Sequence, residues 1–218
     1  MSHTRAPKPS STEAPAPHEL PPVKRQSPRW RVVDIVVAAV IGVAAGVIYF
    51  AWNQLYNPLT EPLKLLLPGL QSVLYGVWLL AGVAAGLVIR KPGAAVFASI
   101  VAASFSAMLG AQWAFMTIEA GLVQGLGAEL IFLLVAYRRF GLPTAMLAGL
   151  GSGLAMGIND LIFWYPGADT LFQAVYLGGS ALSGAVIAGA GGWALTRALA
   201  RTGALSRFAS GREATARA

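Results

Sequence analysis

Apolar residues run through this chain almost unbroken from position 32 to position 196, without the strict alternation of a half-buried strand or the charged outer face of a soluble amphipathic helix. Uncharged stretches at 35–60, 65–89, 92–118, 140–159 and 170–196 each reach the roughly 20 residues an α-helix needs to cross a ~30 Å hydrocarbon core. A sixth, 120–137, is interrupted only by Glu129. The pattern predicts an all-α membrane protein, because a spanning segment must satisfy its own backbone hydrogen bonds.

The few charges set the topology. Arg90-Lys91 and Arg138-Arg139 divide the body into stretches of 58, 46 and 57 residues (32–89, 92–137 and 140–196), each with room for two crossings. If both pairs and both tails lie on the cytoplasmic side, every stretch crosses an even number of times. Six transmembrane helices with both termini cytoplasmic follow, with Lys64 beside Glu61 in an outer loop.

Composition narrows the function. Of 218 residues 56% are hydrophobic and 11% charged, where a soluble domain carries roughly a quarter. Eleven of the sixteen Lys and Arg lie outside the apolar body 32–196, so the net charge of +7 speaks for orientation in a bilayer and not for nucleic acid. Residues 1–30 hold seven of the thirteen prolines and read as a disordered tail; 31–200 form the transmembrane domain, and 201–218 a basic tail. The first apolar stretch is too long for a cleaved signal peptide and is expected to stay in the membrane. With no cysteine, and both histidines within the first eighteen residues, the body offers no Ser-His-Asp or Cys-His set and no thiolate metal site. No phosphate-binding loop of the G-x-x-x-x-G-K-[ST] type occurs, so the chain is expected to be no enzyme, to carry no cofactor or metal, and to leave ATP hydrolysis to others.

The candidate chemistry gathers on the outer side. One hairpin tip contains Trp52, Asn53, Gln54, Tyr56 and Asn57, with the Pro-punctuated segment 57–69 as a potential lid; a second contains Gln112, Trp113 and Glu119; a third Asn159, Asp160, Trp164 and Tyr165. Interfacial aromatics alone form headgroup belts, but the carboxylates and amides beside them suggest an outward-opening pocket. Glu129, about 13 Å below Ala120 along a helix, is expected near the midplane, where an acid needs a partner or a ligand. Met156, Asp160 and Trp164 form one helical line, and Gly149, Gly153 and Gly157 another about 100° away. Gln173, Tyr176, Ser180 and Ser183 make a polar stripe on the last helix. The expected substrate contacts are Glu129, Gln124, Trp113, Gln112, Asp160, Trp164, Tyr176, Asn53 and Tyr56. The small-residue line Ala38, Gly42, Gly46 permits close approach of another helix.

Trp30-Arg31-Val32-Val33-Asp34-Ile35, Arg90-Lys91-Pro92-Gly93-Ala94-Ala95, Gln124-Gly125-Leu126-Gly127-Ala128-Glu129 and Tyr137-Arg138-Arg139-Phe140 occur in order and at suitable spacing. In these segments the chain resembles the YkoE-type substrate-binding (S) components of energy-coupling factor (ECF) transporters, over about residues 30 to 212. The resemblance implies a compact six-helix bundle in the cell membrane that captures thiamine or its hydroxymethylpyrimidine moiety. It implies as partners a transmembrane coupling subunit, met by Ala38, Gly42 and Gly46, and ATP-binding subunits. Such proteins often carry acids where this chain has Ser99 and Ser106, and Asn where it has Ala111, which implies altered specificity. On the residues alone, a secondary transporter in which Glu129 and Asp160 relay protons and a non-transporting scaffold stay open.

Overall fold

A computed structural model describes residues 29–113, 115–206, 208 and 210–211; among these there is no strand. The proline-rich stretch read as disordered lies outside the described residues up to position 28. The elements are α1 (Val32–Leu66), a 3-10 segment (Leu70–Val77), α2 (Leu80–Ile89), α3 (Ala94–Met108), α4 (Phe115–Leu134), α5 (Leu142–Phe163), α6 (Thr170–Ser183), a π-helical segment (Gly184–Gly191) and α7 (Gly192–Arg201). The last three are continuous, and the 3-10 segment leads into α2, giving five apolar units long enough to cross a bilayer plus the shorter α3.

Helix α2 is the hub. Every residue from Ala81 to Ile89 is buried, and Leu79, Val83 and Leu87 pack with Ala128 and Phe132 of α4 and with Ala145 and Ala148 of α5. Around it α1 packs on α3, α3 on α4, α4 on α5, and α5 on α6 and the π segment. Between helices in lipid, van der Waals packing replaces the hydrophobic effect, so small residues set the approach. A Cβ on Gly149 would stand 2.1 Å from the Gly184 carbonyl oxygen, and one on Gly153 2.2 Å from that of Ser180. The glycine line of α5 therefore lies backbone to backbone against the last rod.

Three expectations are corrected. Segment 57–69 is no loop: α1 continues helically through Pro58 and Pro62 to Leu66. Both prolines are exposed, so the carbonyls they deprive of a donor can reach water, and the Thr60 hydroxyl donates to the carbonyls of Tyr56 (2.9 Å) and Asn57 (3.1 Å). At 1.5 Å per residue α1 is about 52 Å long, well beyond a ~30 Å core, so its last turns stand above the membrane. Gly69, at φ +95°, then turns the chain back, and a Cβ there would stand 2.9 Å from the Phe172 carbonyl oxygen, so the place has no room for a side chain.

Second, the apolar run 92–118 does not make one long helix. It stops at Met108, where Gly110 at φ +100° donates to Ala107 and Ala111 donates to Ser106, the paired bonds of a glycine-terminated helix. Third, Ala38, Gly42 and Gly46 do not face outward. Ala38 is fully buried, a Cβ on Gly42 would lie 2.7 Å from the Val101 Cβ, and one on Gly46 2.8 Å from the Ala102 carbonyl oxygen. This line is the seam between α1 and α3.

One end of the bundle is tied by polar bonds. Asp34 is buried and pairs with Lys91 (2.6 Å) and Arg31 (3.1 Å), while the Trp30 indole donates to the Pro92 carbonyl (2.9 Å). Beyond Arg201 the chain folds back, burying Leu205 and Phe208 against Val88, Ile89 and Ala94.

Candidate functional site

At the opposite end, α1, the 3-10 segment, α4 and α5 enclose a cavity of about 300 Å³, near the lower bound for small-molecule sites. Its floor and walls are aromatic. Trp78 sits at the centre, its ring centroid 4.7 Å from that of Tyr56, 5.5 Å from Tyr75 and 5.5 Å from Trp113, the last nearly perpendicular. The Trp78 indole donates to Asn53 Oδ1 (2.9 Å), whose Nδ2 donates to Ser106 Oγ (3.2 Å), which fixes ring and amide together. Below them the Tyr49 hydroxyl accepts from the Ala81 amide (2.9 Å), one of the N–H groups that the start of α2 leaves without a helical partner.

The polar wall comes from α5. Asp160 is 2% exposed; its Oδ2 accepts from the Tyr176 hydroxyl at 2.7 Å, and the Tyr75 and Tyr176 hydroxyls bond to each other. Asp160 Oδ1 has no partner, and neither does the buried Thr117 Oγ1 across the cavity. A buried acceptor left unpaired costs about 1–3 kcal/mol, more when charged, and a ligand donor would recover it. Beside Asp160, the Asn159 amide donates to Glu119 Oε2 (3.3 Å). Among the described residues two carboxylates thus line the cavity, against one cation, Lys64, which already pairs with Glu61 at 2.9 Å. Tilted and edge-to-face rings with net negative charge suit a flat, cationic or amine-bearing solute. Among the described residues no three His, Cys, Asp or Glu side chains gather as metal ligands.

Of the residues singled out from sequence, Asn53, Tyr56, Trp113, Gln124, Asp160 and Trp164 line this cavity. Three do not. Gln112 stands outside it, accepting from the Asn57 side chain (3.0 Å), and Tyr176 stands one shell back, orienting Asp160. Glu129 is displaced furthest: its carboxylate accepts from the amides of Gly93 (2.6 Å), Ala95 (2.9 Å) and Val96 (3.4 Å) and from the Tyr137 hydroxyl. It is the cap of α3. Burial, with the Glu129 carboxylate opposite, pushes the Tyr137 hydroxyl above the usual phenol range and keeps it a donor.

The stripe on α6 also serves packing, since Ser183 Oγ accepts from the Gly76 amide (2.8 Å) and Ser180 bonds its own helix. On α5, by contrast, Met156, Asp160 and Trp164 all reach the cavity while the glycines pack behind them. Sequence reading missed Tyr49, Tyr75 and Trp78, which sit inside apolar runs, and Ser106 as a cavity residue. The available signal was polar tips one helical turn apart: Tyr49, Asn53 and Tyr56 share a face of α1.

Comparison with known proteins agrees with this architecture. The family model described as "ABC-type cobalt transport system, permease component" matches residues 33–155. A relative from Bacillus subtilis (strain 168), "Putative HMP/thiamine permease protein YkoE", is 37% identical over 185 residues, 84% of this chain and 92% of its own length. A solved structure described as an S-component of an ECF transporter matches with a TM-score of 0.81 at 36% identity, covering 87% of this chain and 95% of that one.

Proposed function

As a multi-pass membrane protein that belongs to the YkoE-type S components of ECF transporters, within the permease family matched above, the chain has a role in transport, and we propose that it captures thiamine or its hydroxymethylpyrimidine moiety for an ATP-driven importer. The observation that carries this reading is the unpaired Asp160 Oδ1 at the side of the Tyr56–Trp78–Trp113 aromatic cluster. An aminopyrimidine lies flat on such rings and offers an exocyclic N–H to the carboxylate; a thiazolium adds a cation for the ring faces and for Glu119. Phosphorylated forms are disfavoured, because no arginine lines the cavity among the described residues and its lysine is engaged. A divalent cation as cargo finds no three-ligand cluster among the described residues.

The motor lies elsewhere: this chain carries no phosphate-binding loop, so a coupling membrane subunit and ATP-binding subunits supply the energy. Both described chain ends and both Arg/Lys turns collect at the end of the bundle away from the cavity, which by the positive-inside rule is cytoplasmic and leaves the cavity facing out. Calorimetry on the purified chain tests the reading. Thiamine or hydroxymethylpyrimidine binds one to one and thiamine diphosphate at least tenfold more weakly; equal binding of the diphosphate, or no binding of either pyrimidine, refutes it.

A further inference from the structure

The basic end of the bundle holds a second concavity of about 250 Å³, unconnected with substrate capture. Three arginines meet there, Arg90 after α2, Arg138 from the α4–α5 turn and Arg197 from α7, and among the described residues that line it none is acidic. Two of the guanidinium groups are held in place by rings: Arg90 lies 4.6 Å over Phe140, with its Nε donating to the Leu87 carbonyl (3.1 Å), and Arg197 lies 4.9 Å over Trp193. Stacking of this kind fixes the plane of the guanidinium fork before anything binds. Ser210, 7% exposed, also lines the concavity, and its Oγ is buried without a hydrogen-bond partner. Native interiors seldom leave such an atom unmatched.

The backbone points to the same place. Among the described residues, the non-glycine positions at positive φ are Arg90 (58°), Ala136 (50°) and Tyr137 (52°). One is in the wall of the concavity and the others directly precede Arg138. Left-handed backbone is unfavourable for residues with a Cβ and persists where the surroundings enforce it, here through the bond from Tyr137 to Glu129. The strained turn carries Arg138 to the rim.

We infer that this concavity binds a phosphate ester, with Arg138 and Arg197 clasping its oxygens, Ser210 donating to one of them and Trp193 flanking the carbon it esterifies. An anionic phospholipid headgroup and a soluble phosphate ester share this chemistry, and basic pockets between helices at the membrane surface are suited to the former. The full chain, stripped of lipid in detergent, is titrated with short-chain phosphatidylglycerol, with glycerol phosphate and with inorganic phosphate, and binding is read by native mass and by thermal midpoint.

One phosphatidylglycerol per chain is expected, weakened at least tenfold by Arg138→Gln combined with Arg197→Gln. Arg139→Gln removes one charge, as Arg138→Gln alone does, but from outside the concavity, and is expected to change affinity less than twofold. Glycerol phosphate binding as tightly as the lipid supports the site with a soluble ester as its source; lipid binding alone supports the headgroup. Binding of none of the three overturns the proposal, as does a loss in Arg139→Gln equal to that in the double variant. Should the double variant not fold, Arg138→Gln alone, at an exposed side chain, is expected to weaken binding at least threefold, and unchanged binding overturns the proposal.

Discussion

Replacing Glu129 by Gln is predicted to destabilise the protein while leaving ligand affinity intact. Glu129 receives three amides at the start of α3 and one phenol, all donors, and its charge faces the positive end of that helix. Glutamine keeps a single acceptor oxygen; whichever way its amide is turned, an NH2 group is set against N–H or O–H donors. Hydrogen bonds to a charged group are worth about 1.5–3 kcal/mol net, and the helix-end interaction about 0.3–1 kcal/mol more. Because the side chain is half-buried, a total of about 2–4 kcal/mol is reasonable.

For a chain of this size that corresponds to a fall in Tm of roughly 4–16 °C. Thermal unfolding of the purified protein reads the first quantity and calorimetry with thiamine the second, expected within threefold of the unsubstituted protein. Tyr137→Phe loses one bond and should cost about 1 kcal/mol, and in the double variant less than the sum, since the two groups share that bond. An unchanged Tm together with tenfold weaker binding would place Glu129 at the ligand and refute the assignment as a cap.

Other outcomes follow from the same geometry. Asp160→Asn should weaken thiamine binding by about 10- to 150-fold in calorimetry, the equivalent of 1.5–3 kcal/mol, with Tm nearly unchanged because the amide oxygen still accepts from Tyr176; unaltered affinity would remove Asp160 from the site. Gly42→Leu should lower Tm of the isolated chain, overpacking costing about 1–3 kcal/mol where Val101 and Ala98 already touch; a normal Tm with failed assembly would mean that the line serves a partner after all. Single cysteines at Gly93 and Gly141 should resist impermeant thiol reagents in sealed cells, and labelling of either from outside would invert the proposed orientation.

How legible the molecule was depends on what each residue answers to. Number and order of apolar units follow from runs of uncharged residues, because the bilayer tolerates little else. Helix ends do not: Gly110 ends α3 through its positive φ, an ordinary property of glycine that nothing in an apolar run distinguishes from the packing glycines of α5. Pro58 and Pro62 misled in the other direction, since a helix already above the lipid can leave carbonyls to water. Asp160 was legible because an acid on one line with Met156 and Trp164, beside a line of glycines, leaves the charged face only a cavity to point into. Glu129 was not, because its depth was reckoned from Ala120, whereas α4 begins at Phe115 and the short α3 starts level with the acid. An intramembrane carboxylate beside a helix N-terminus finds its partners in backbone amides, which sequence cannot display.

The segments that carry the family likeness and the residues that line the cavity are almost disjoint sets. At the basic end Trp30 bonds to Pro92, Asp34 to Lys91, and Glu129 to Gly93 and Tyr137, joining α1, α3, α4 and the turn before α5 into one plate. The cavity is built from Tyr56, Trp78, Trp113, Glu119 and Asp160, and of the four segments only Gln124 reaches it. One helix, α4, serves both ends: Gln124 opens on the cavity, Gly125 seats the helix against Val96 and Ser99, and Glu129 fastens α3. Ligand preference can therefore change by substitution around Ser106 and Trp113 without touching the bonds that define the fold. For the same reason likeness in those segments argues for the architecture more strongly than for the ligand, and it is the unpaired oxygen of Asp160 that argues for an amine-bearing solute here.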